Sequence, residues 1–317
     1  MGCVSKEHAA FLNVYSTSRM IRIGGSIFAG LLGLAFGSFL NVCLSRWPEG
    51  ESVVRPRSHC RDCDHVLAWW ENVPLVSWLA LRGRCRKCGA WIGWRYPVVE
   101  LAVGGLWGIV GCRLFGQFEF IGVAPYPNLG LPQFGFVPAV ATMFFLFLMV
   151  GIAVLDAERF WIADRVVLPG AALGLAFPLL FESLVQMPIR WHSTFWIEIG
   201  ERLLGVFLAA GLVLLIRWLY KLIRKREGMG LGDVKLMAML AAWLGLPGAL
   251  LAFGLGAVLG SVAAFVLLAV PARDSESWAA TKLPFGTFLC IGGIVSSLWG
   301  EQMIAAYLHW AGLSGIS

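Results

Sequence analysis

Apolar residues along this chain do not alternate with polar ones. They run in long unbroken blocks, and most Lys and Arg residues fall in the stretches between the blocks. A hydrocarbon core about 30 Å thick takes roughly 20 residues of helix, so blocks of roughly 17 to 25 apolar residues read as membrane spans. Eight blocks are candidates: Gly24 to Leu44, Pro97 to Phe115, Gly135 to Leu155, Val166 to Phe181, Leu203 to Trp218, Val234 to Leu246, Gly248 to Val270 and Leu283 to Trp299. The sixth is short and is separated from the seventh by Pro247 alone. The pattern predicts an all-α polytopic membrane protein with about eight transmembrane helices. Its expected parts are an exterior N-terminus with the first span (1–44), a polar loop (45–96) and a larger membrane domain (97–317). Met1 to Arg22 is polar and mixed, and no small-residue cleavage site follows the first apolar block, so that span is expected to stay in the mature protein. The opening MGCVSK has Lys6 where a myristoylation signal has Ser or Thr, and lipidation is not expected.

Composition narrows the class further. Hydrophobic residues make up 58% and charged residues 14% of the chain, against roughly 45–50% and about 25% in soluble domains. A water-soluble globular domain is excluded. Lys and Arg favour the cytoplasmic side of a membrane. Here they gather after the first, third, fifth and seventh spans, including Arg82, Arg84, Arg86, Lys87 and the run Arg224 to Arg226. Both termini are therefore expected outside and the loop over 45–96 in the cytoplasm. The net charge of +6 is accounted for by a basic face against anionic lipid headgroups, and no nucleic-acid partner is called for.

That loop holds Cys60-Arg-Asp-Cys63, then 21 residues, then Cys85-Arg-Lys-Cys88. Paired C-x-x-C at this spacing is the pattern of a zinc ribbon. Two thiolates on one tight turn reach a single Zn²⁺, and two such turns complete a closed tetrahedral site. In a reducing compartment disulfides are disfavoured, and a loop with little apolar core gains most of its fold from the metal. The alternatives are four free thiols in a floppy loop or a redox pair, the latter needing only one copy of the motif. His59 and His65 flank the first pair and are either substitute ligands or solvated loop residues. Cys3, Cys43, Cys112 and Cys290 are isolated and read as small apolar residues.

Two acids stand at span ends. The third block closes in VGIAVLD, which puts Asp156 at a membrane boundary, with Asp164 eight residues on. Boundary acids are functional candidates, although one at an exposed helix end can simply be solvated. Asp233 follows Gly228-Met-Gly230-Leu-Gly232 and precedes the apolar VKLMAMLAAWLG, at or near a helix start. It is either an N-cap or an acid whose surroundings have been cleared of side chains, so that an extended peptide backbone can approach. Two close carboxylates share one proton: the charged one activates a water and the neutral one protonates the substrate carbonyl or the leaving amine. His8, His192 and His309 fall in terminal or exterior segments, and no Ser-His or Cys-His arrangement is visible. Acids among spans also mark ion paths, so a proton- or ion-coupled transporter with the two aspartates as a relay is the alternative reading. Spans three, seven and eight carry no ionisable group at mid-depth, which a relay would use.

The segments GSFLNVCLSRWP, ENVPLVSWLALRGRCRKCGAWIGWRYPVVE, LDAERFWIAD, GMGLGDVKLMAMLAAWLG and LPFGTFL, in this order, resemble the bacterial type IV prepilin peptidases. The resemblance runs from the first span to the eighth. It implies an aspartic endopeptidase of the bacterial inner membrane, active on the cytoplasmic side, that cuts prepilin or type II secretion pseudopilin leaders after a glycine. It also implies, for many members, methylation of the new N-terminal amine with S-adenosylmethionine. The catalytic aspartates would be Asp156 and Asp233, with Cys60, Cys63, Cys85 and Cys88 as ligands of a structural zinc. Gly230, Gly232, Asp164, Lys235 and Glu100 would be supporting residues. Asp164 is then a support or an alternative partner. Lys235 either orients Asp233 or snorkels to headgroups, and Glu100 either pairs with a neighbour such as Arg95 or contacts the methyl-transfer or substrate-amine site. No methyl-donor site can be assigned from the pattern. The chain differs from the family in having Ala163 before Asp164 where Pro is common, and Arg61 after Cys60 where Pro is common. The presenilin-like proteases share Gly-x-Gly-Asp, but they carry Pro-Ala-Leu where LPFGTFL stands here.

Overall fold

The computed structural model describes residues 3–116, 135–185, 194–225, 230–269 and 283–313. Gly228, Arg226 and His192 of the motifs above lie outside them. Helices account for nearly all of the structure: α1 Cys3–Arg46, α2 Val76–Ala80, α3 Arg95–Gly116, α4 Phe136–Arg159, α5 Asp164–Val185, α6 Thr194–Arg224, α7 Leu231–Ala269 and α8 Phe285–Trp310. Two short 3₁₀ turns, Trp47–Glu49 and Trp69–Asn72, lie in the loop between α1 and α3. Among the described residues the only β pairing is two isolated bridges in that loop.

Among the described residues, six segments are long and apolar enough to cross a membrane: Arg19–Glu49, Arg95–Gly116, Phe136–Arg159, Ile199–Arg224, Leu231–Leu267 and Phe285–Trp310. Helix α5, where the fourth span is expected, has 22 residues. The expected sixth and seventh spans both fall within α7, which is interrupted where Gly245 adopts φ 70°, ψ 174°. This backbone region is open essentially to glycine alone, and Pro247 two residues on supplies no N–H. The helices carry large apolar side chains on their outer faces, such as Phe207 at 72% and Phe265 at 73% exposure. In water such faces would be costly; in a bilayer they meet lipid. The protein is a multi-pass membrane protein.

The chain forms two compact units, Met1–Val150 and Gly151–Ser317, divided within α4. In the first, α1 and α3 pack through small residues. A Cβ added at Gly37 would stand 2.7 Å from the Cα of Glu100, and one at Gly33 would stand 2.9 Å from the Cα of Gly104. Such backbone approach is how helices gain van der Waals contact where no hydrophobic force drives them together. In the second unit the core is the start of α7, where Leu236, Met237, Met239, Leu240, Ala241 and Ala242 are fully buried. Helix α8 meets α7 closely, since a Cβ at Gly256 would lie 3.1 Å from the Cα of Leu289. Ser296 of α8 donates to the carbonyl of Gly248 at 2.8 Å, tying α8 to α7 just past the interruption.

Candidate functional site

In the second unit, Asp156 occupies the last turn of α4 and Asp233 the first turn of α7, and both are buried. The start of α8 meets Asp156: the Thr287 N–H donates to Oδ2 at 2.6 Å. The Thr287 hydroxyl lies 3.1 Å from the same oxygen and 3.0 Å from the Ala153 carbonyl. With one proton, that hydroxyl donates to one of them at a time. Asp233 accepts the N–H of Gly230 at 3.1 Å, which closes the short turn into its helix. Asp156 lies within the electrostatic reach of Asp233.

The turn between α4 and α5 completes this arrangement. Ile162 sits against two glycines: a Cβ on Gly232 would come 3.0 Å from the Ile162 Cβ, and one on Gly286 would come 2.9 Å from its Cδ1. The same Cβ on Gly286 would stand 2.9 Å from the carboxyl carbon of Asp156. Gly232 and Gly286 therefore leave the space that Ile162 and the Asp156 carboxyl fill. Lys235 reaches Asp164, with Nζ at 2.8 and 2.7 Å from its two oxygens. This links the first turn of α5 to the first turn of α7.

Thr287, Gly286 and Ile162 were not singled out from the sequence. LPFGTFL pointed to the right segment, yet nothing in the spacing shows that a threonine 131 positions away meets Asp156.

In the first unit the four paired cysteines converge, with all four sulfurs within 4.8 Å of one another. Each pair sits on a tight turn closed by backbone bonds. Cys60 N donates to His65 O at 2.9 Å and Asp64 N to Cys60 O at 3.0 Å; Cys85 N donates to Ala90 O at 2.8 Å and Gly89 N to Cys85 O at 2.9 Å. The residue after the second cysteine of each pair is left-handed, Asp64 at φ 53° and Gly89 at φ 74°. That conformation suits glycine, and among other residues Asp and Asn adopt it most readily. Sγ–Sγ distances are 3.7 Å for Cys60 to Cys88 and 4.0 Å for Cys63 to Cys85. The N–H groups of Cys88 and Lys87 pull the Cys85 thiol down to about 6, toward the thiolate that binds metals, while burial pushes Cys60 up. These sulfurs can hold a metal ion. His59 and His65 are directed elsewhere, His59 Nδ1 to the Arg57 carbonyl at 3.0 Å and His65 Nε2 to Glu71 at 3.5 Å.

Glu100 is buried near the start of α3 and accepts the Leu75 N–H at 2.8 Å. Leu75 itself is left-handed at φ 60°, so a strained loop residue is anchored by a membrane helix. Arg95 donates to Ser45 Oγ at 2.8 Å and lies over the Tyr96 ring.

Residues 31–114 match the bacterial peptidase A24 N-terminal domain, and residues 143–265 match the type IV leader peptidase family. The chain is 35% identical to the prepilin leader peptidase/N-methyltransferase of Stutzerimonas stutzeri, covering 89% of this chain and 93% of that one. It is 34% identical to the protein of that name from Pseudomonas aeruginosa, again over 89% and 93%. Against its Myxococcus xanthus counterpart it is 37% identical, over 74% of this chain and 62% of the other. No solved structure matches the chain. With two consecutive family domains and relatives similar over nearly the whole length, this chain belongs to the type IV leader peptidase family.

Proposed function

We propose that this chain is a prepilin leader peptidase that cuts type IV prepilin or pseudopilin leaders at the cytoplasmic face of the bacterial inner membrane and then methylates the new N-terminus. The observation that carries the reading is the pair Asp156 and Asp233: buried, within electrostatic reach of each other, and set at the ends of largely apolar helices. Two such carboxylates hold one proton between them. The ionised one takes a proton from water as the oxygen attacks the scissile carbonyl, and the protonated one hydrogen-bonds that carbonyl and then delivers its proton to the leaving amine. Thr287 fixes Asp156 from one side, and the Gly230 N–H fixes Asp233. Asp164 and Lys235 form the ion pair that steadies the turn carrying Ile162, so Asp164 serves as a support. Gly230 keeps a side chain away from the Asp233 carboxyl, and Gly232 makes room for Ile162.

The metal of the loop over 45–96 is a structural zinc. A tetrahedron with Zn–S bonds of about 2.3 Å has edges of about 3.8 Å, and two of the sulfur pairs here stand 3.7 and 4.0 Å apart, with all four within 4.8 Å. Four cysteine sulfurs close the coordination, so the metal shapes the loop and takes no part in hydrolysis. S-adenosylmethionine, when bound, supplies an electrophilic methyl group. The alternative of an ion relay gains no support from the family matches.

The test is cleavage of a prepilin-like peptide by the purified chain in detergent. Asp156→Asn and Asp233→Asn should each lower the rate by more than about 10³-fold, with zinc content unchanged. Normal cleavage by either variant would overturn the dyad.

A further inference from the structure

The outward stripe of α3 does not end where the helix begins. Val98, Leu101 and Ile109 are exposed and, with Gly105, lie on one side of the helix at spacings of three and four. Because α3 is a membrane span, that stripe meets lipid. Four residues before Val98 it is continued by Trp94, whose carbonyl accepts the Val98 N–H at 3.2 Å. Trp94 therefore stands where the span leaves the hydrocarbon, the level at which tryptophan gathers in membrane proteins.

Trp94 ties the second cysteine turn to that level. Its ring centroid lies 4.5 Å from that of Trp78 and 5.9 Å from that of Trp91, and the Trp78 Nε1–H donates to the Ile92 carbonyl at 3.1 Å. Gly83, at φ 66°, rests on two of the rings: a Cβ there would come 2.8 Å from Trp91 and 2.9 Å from Trp78. Its neighbours Arg82 and Arg84 are exposed, and Arg84 pairs with Trp91 in a β bridge. A cluster serving only as a small core would bury its rings, yet Trp91 and Trp94 are 53% and 63% exposed. Charge separates the two cysteine turns. From Asn72 to Val99 the chain carries Arg82, Arg84, Arg86, Lys87 and Arg95 and no Asp or Glu, whereas the first turn has exposed Asp62 and Asp64 beside Arg61. An aromatic surface edged by cations and clear of acids complements anionic headgroups, to which each basic side chain near the surface adds attraction.

We infer that the second cysteine turn is seated on the bilayer, with Trp91 and Trp94 in the headgroup layer of the leaflet on the loop's side and Arg82 and Arg84 on the phosphates of anionic phospholipid. Lipid is the occupant, rather than a second protein, because the surface continues the lipid-facing stripe of α3 without a break. One half of the metal site is thereby fixed to the membrane, and the turn with Asp62 and Asp64 is the half left toward water. This goes beyond the peptidase reading and does not depend on it.

The test uses the full chain in nanodiscs of phosphatidylglycerol or of phosphatidylcholine, each with a trace of its own lipid carrying a photoreactive diazirine in the headgroup, and maps the adducts by mass spectrometry. In phosphatidylglycerol the segment Val76 to Trp91 should be labelled about ten-fold more than the segment Arg57 to Val66, and its labelling should fall several-fold in phosphatidylcholine. Arg82→Glu with Arg84→Glu should lower labelling of Val76 to Trp91 by about ten-fold, with zinc content and labelling of the spans unchanged. Should that variant lose its zinc, the native chain decides: high salt should weaken labelling of the turn and leave the spans alone. Adducts confined to the spans, equal labelling of the two cysteine turns, or labelling indifferent to both salt and charge reversal would each overturn the seat. So would rings that stay open to hydroxyl radicals in both nanodiscs and close only when a second protein is added, which would assign the surface to a protein partner.

Discussion

In the cysteine loop, each pair of sulfurs sits on a turn whose backbone bonds link residues no more than nine apart, such as Cys60 to His65 and Gly83 to Ile92. In the second unit, two carboxylates 77 positions apart are gathered by α4, α7 and α8, with Thr287 reaching Asp156 from 131 positions away. The loop is local and short of apolar core, so its geometry depends on what the sulfurs bind. The dyad is non-local and set in a packed helical core, so its geometry depends on whether neighbouring backbones can approach. The first is therefore vulnerable to metal loss and the second to added atoms.

The largest effect expected from this difference is on the loop. Stripping the metal with a chelator should remove a binding energy of about 10–16 kcal/mol, as for structural zinc in small domains. The segment between Glu51 and Ile92 should become open to limited proteolysis while far-UV circular dichroism stays helical. Continued protection of the segment without metal would break the contrast. Next comes Gly286→Ala. Its Cβ would lie 2.9 Å from the carboxyl of Asp156 and from Ile162, so the carboxylate must shift. A displacement of this kind should lower kcat for a prepilin-like peptide by about 10²-fold, with zinc content intact. The smallest is Thr287→Val, which keeps the N–H bond to Asp156 and deletes only the hydroxyl. A loss of about 1 kcal/mol should appear as a roughly five-fold fall in kcat/KM.

Features that depend on neighbours in sequence were legible from the sequence. The apolar blocks gave the membrane helices, and C-x-x-C twice gave the sulfur cluster, because a tight turn brings residues three apart together. The glycines before Asp233 marked a helix start, and the structure begins α7 two residues before that acid. The hidden features are pairings between distant segments. Lys235 was read against Asp233 or headgroups, but its ammonium meets Asp164. Glu100 was weighed against Arg95, but its carboxylate holds the Leu75 N–H in the loop. Pro247 was read as the break between two spans, whereas the non-helical residue is Gly245. Periodicity reports which face of a helix is apolar, and it carries no information about which polar atom on another helix a given side chain will find.

The interruption at Gly245 has a mechanical side. From Asp233 to Gly245 the helix rises about 18 Å at 1.5 Å per residue, so this leg is a lever with the carboxylate near its tip. A change of about 10° at the fulcrum swings that tip by about 3 Å, as much as a hydrogen-bond length. The alignment of the aspartates is thus set in part at a residue far from both of them, where only an achiral amino acid fits comfortably.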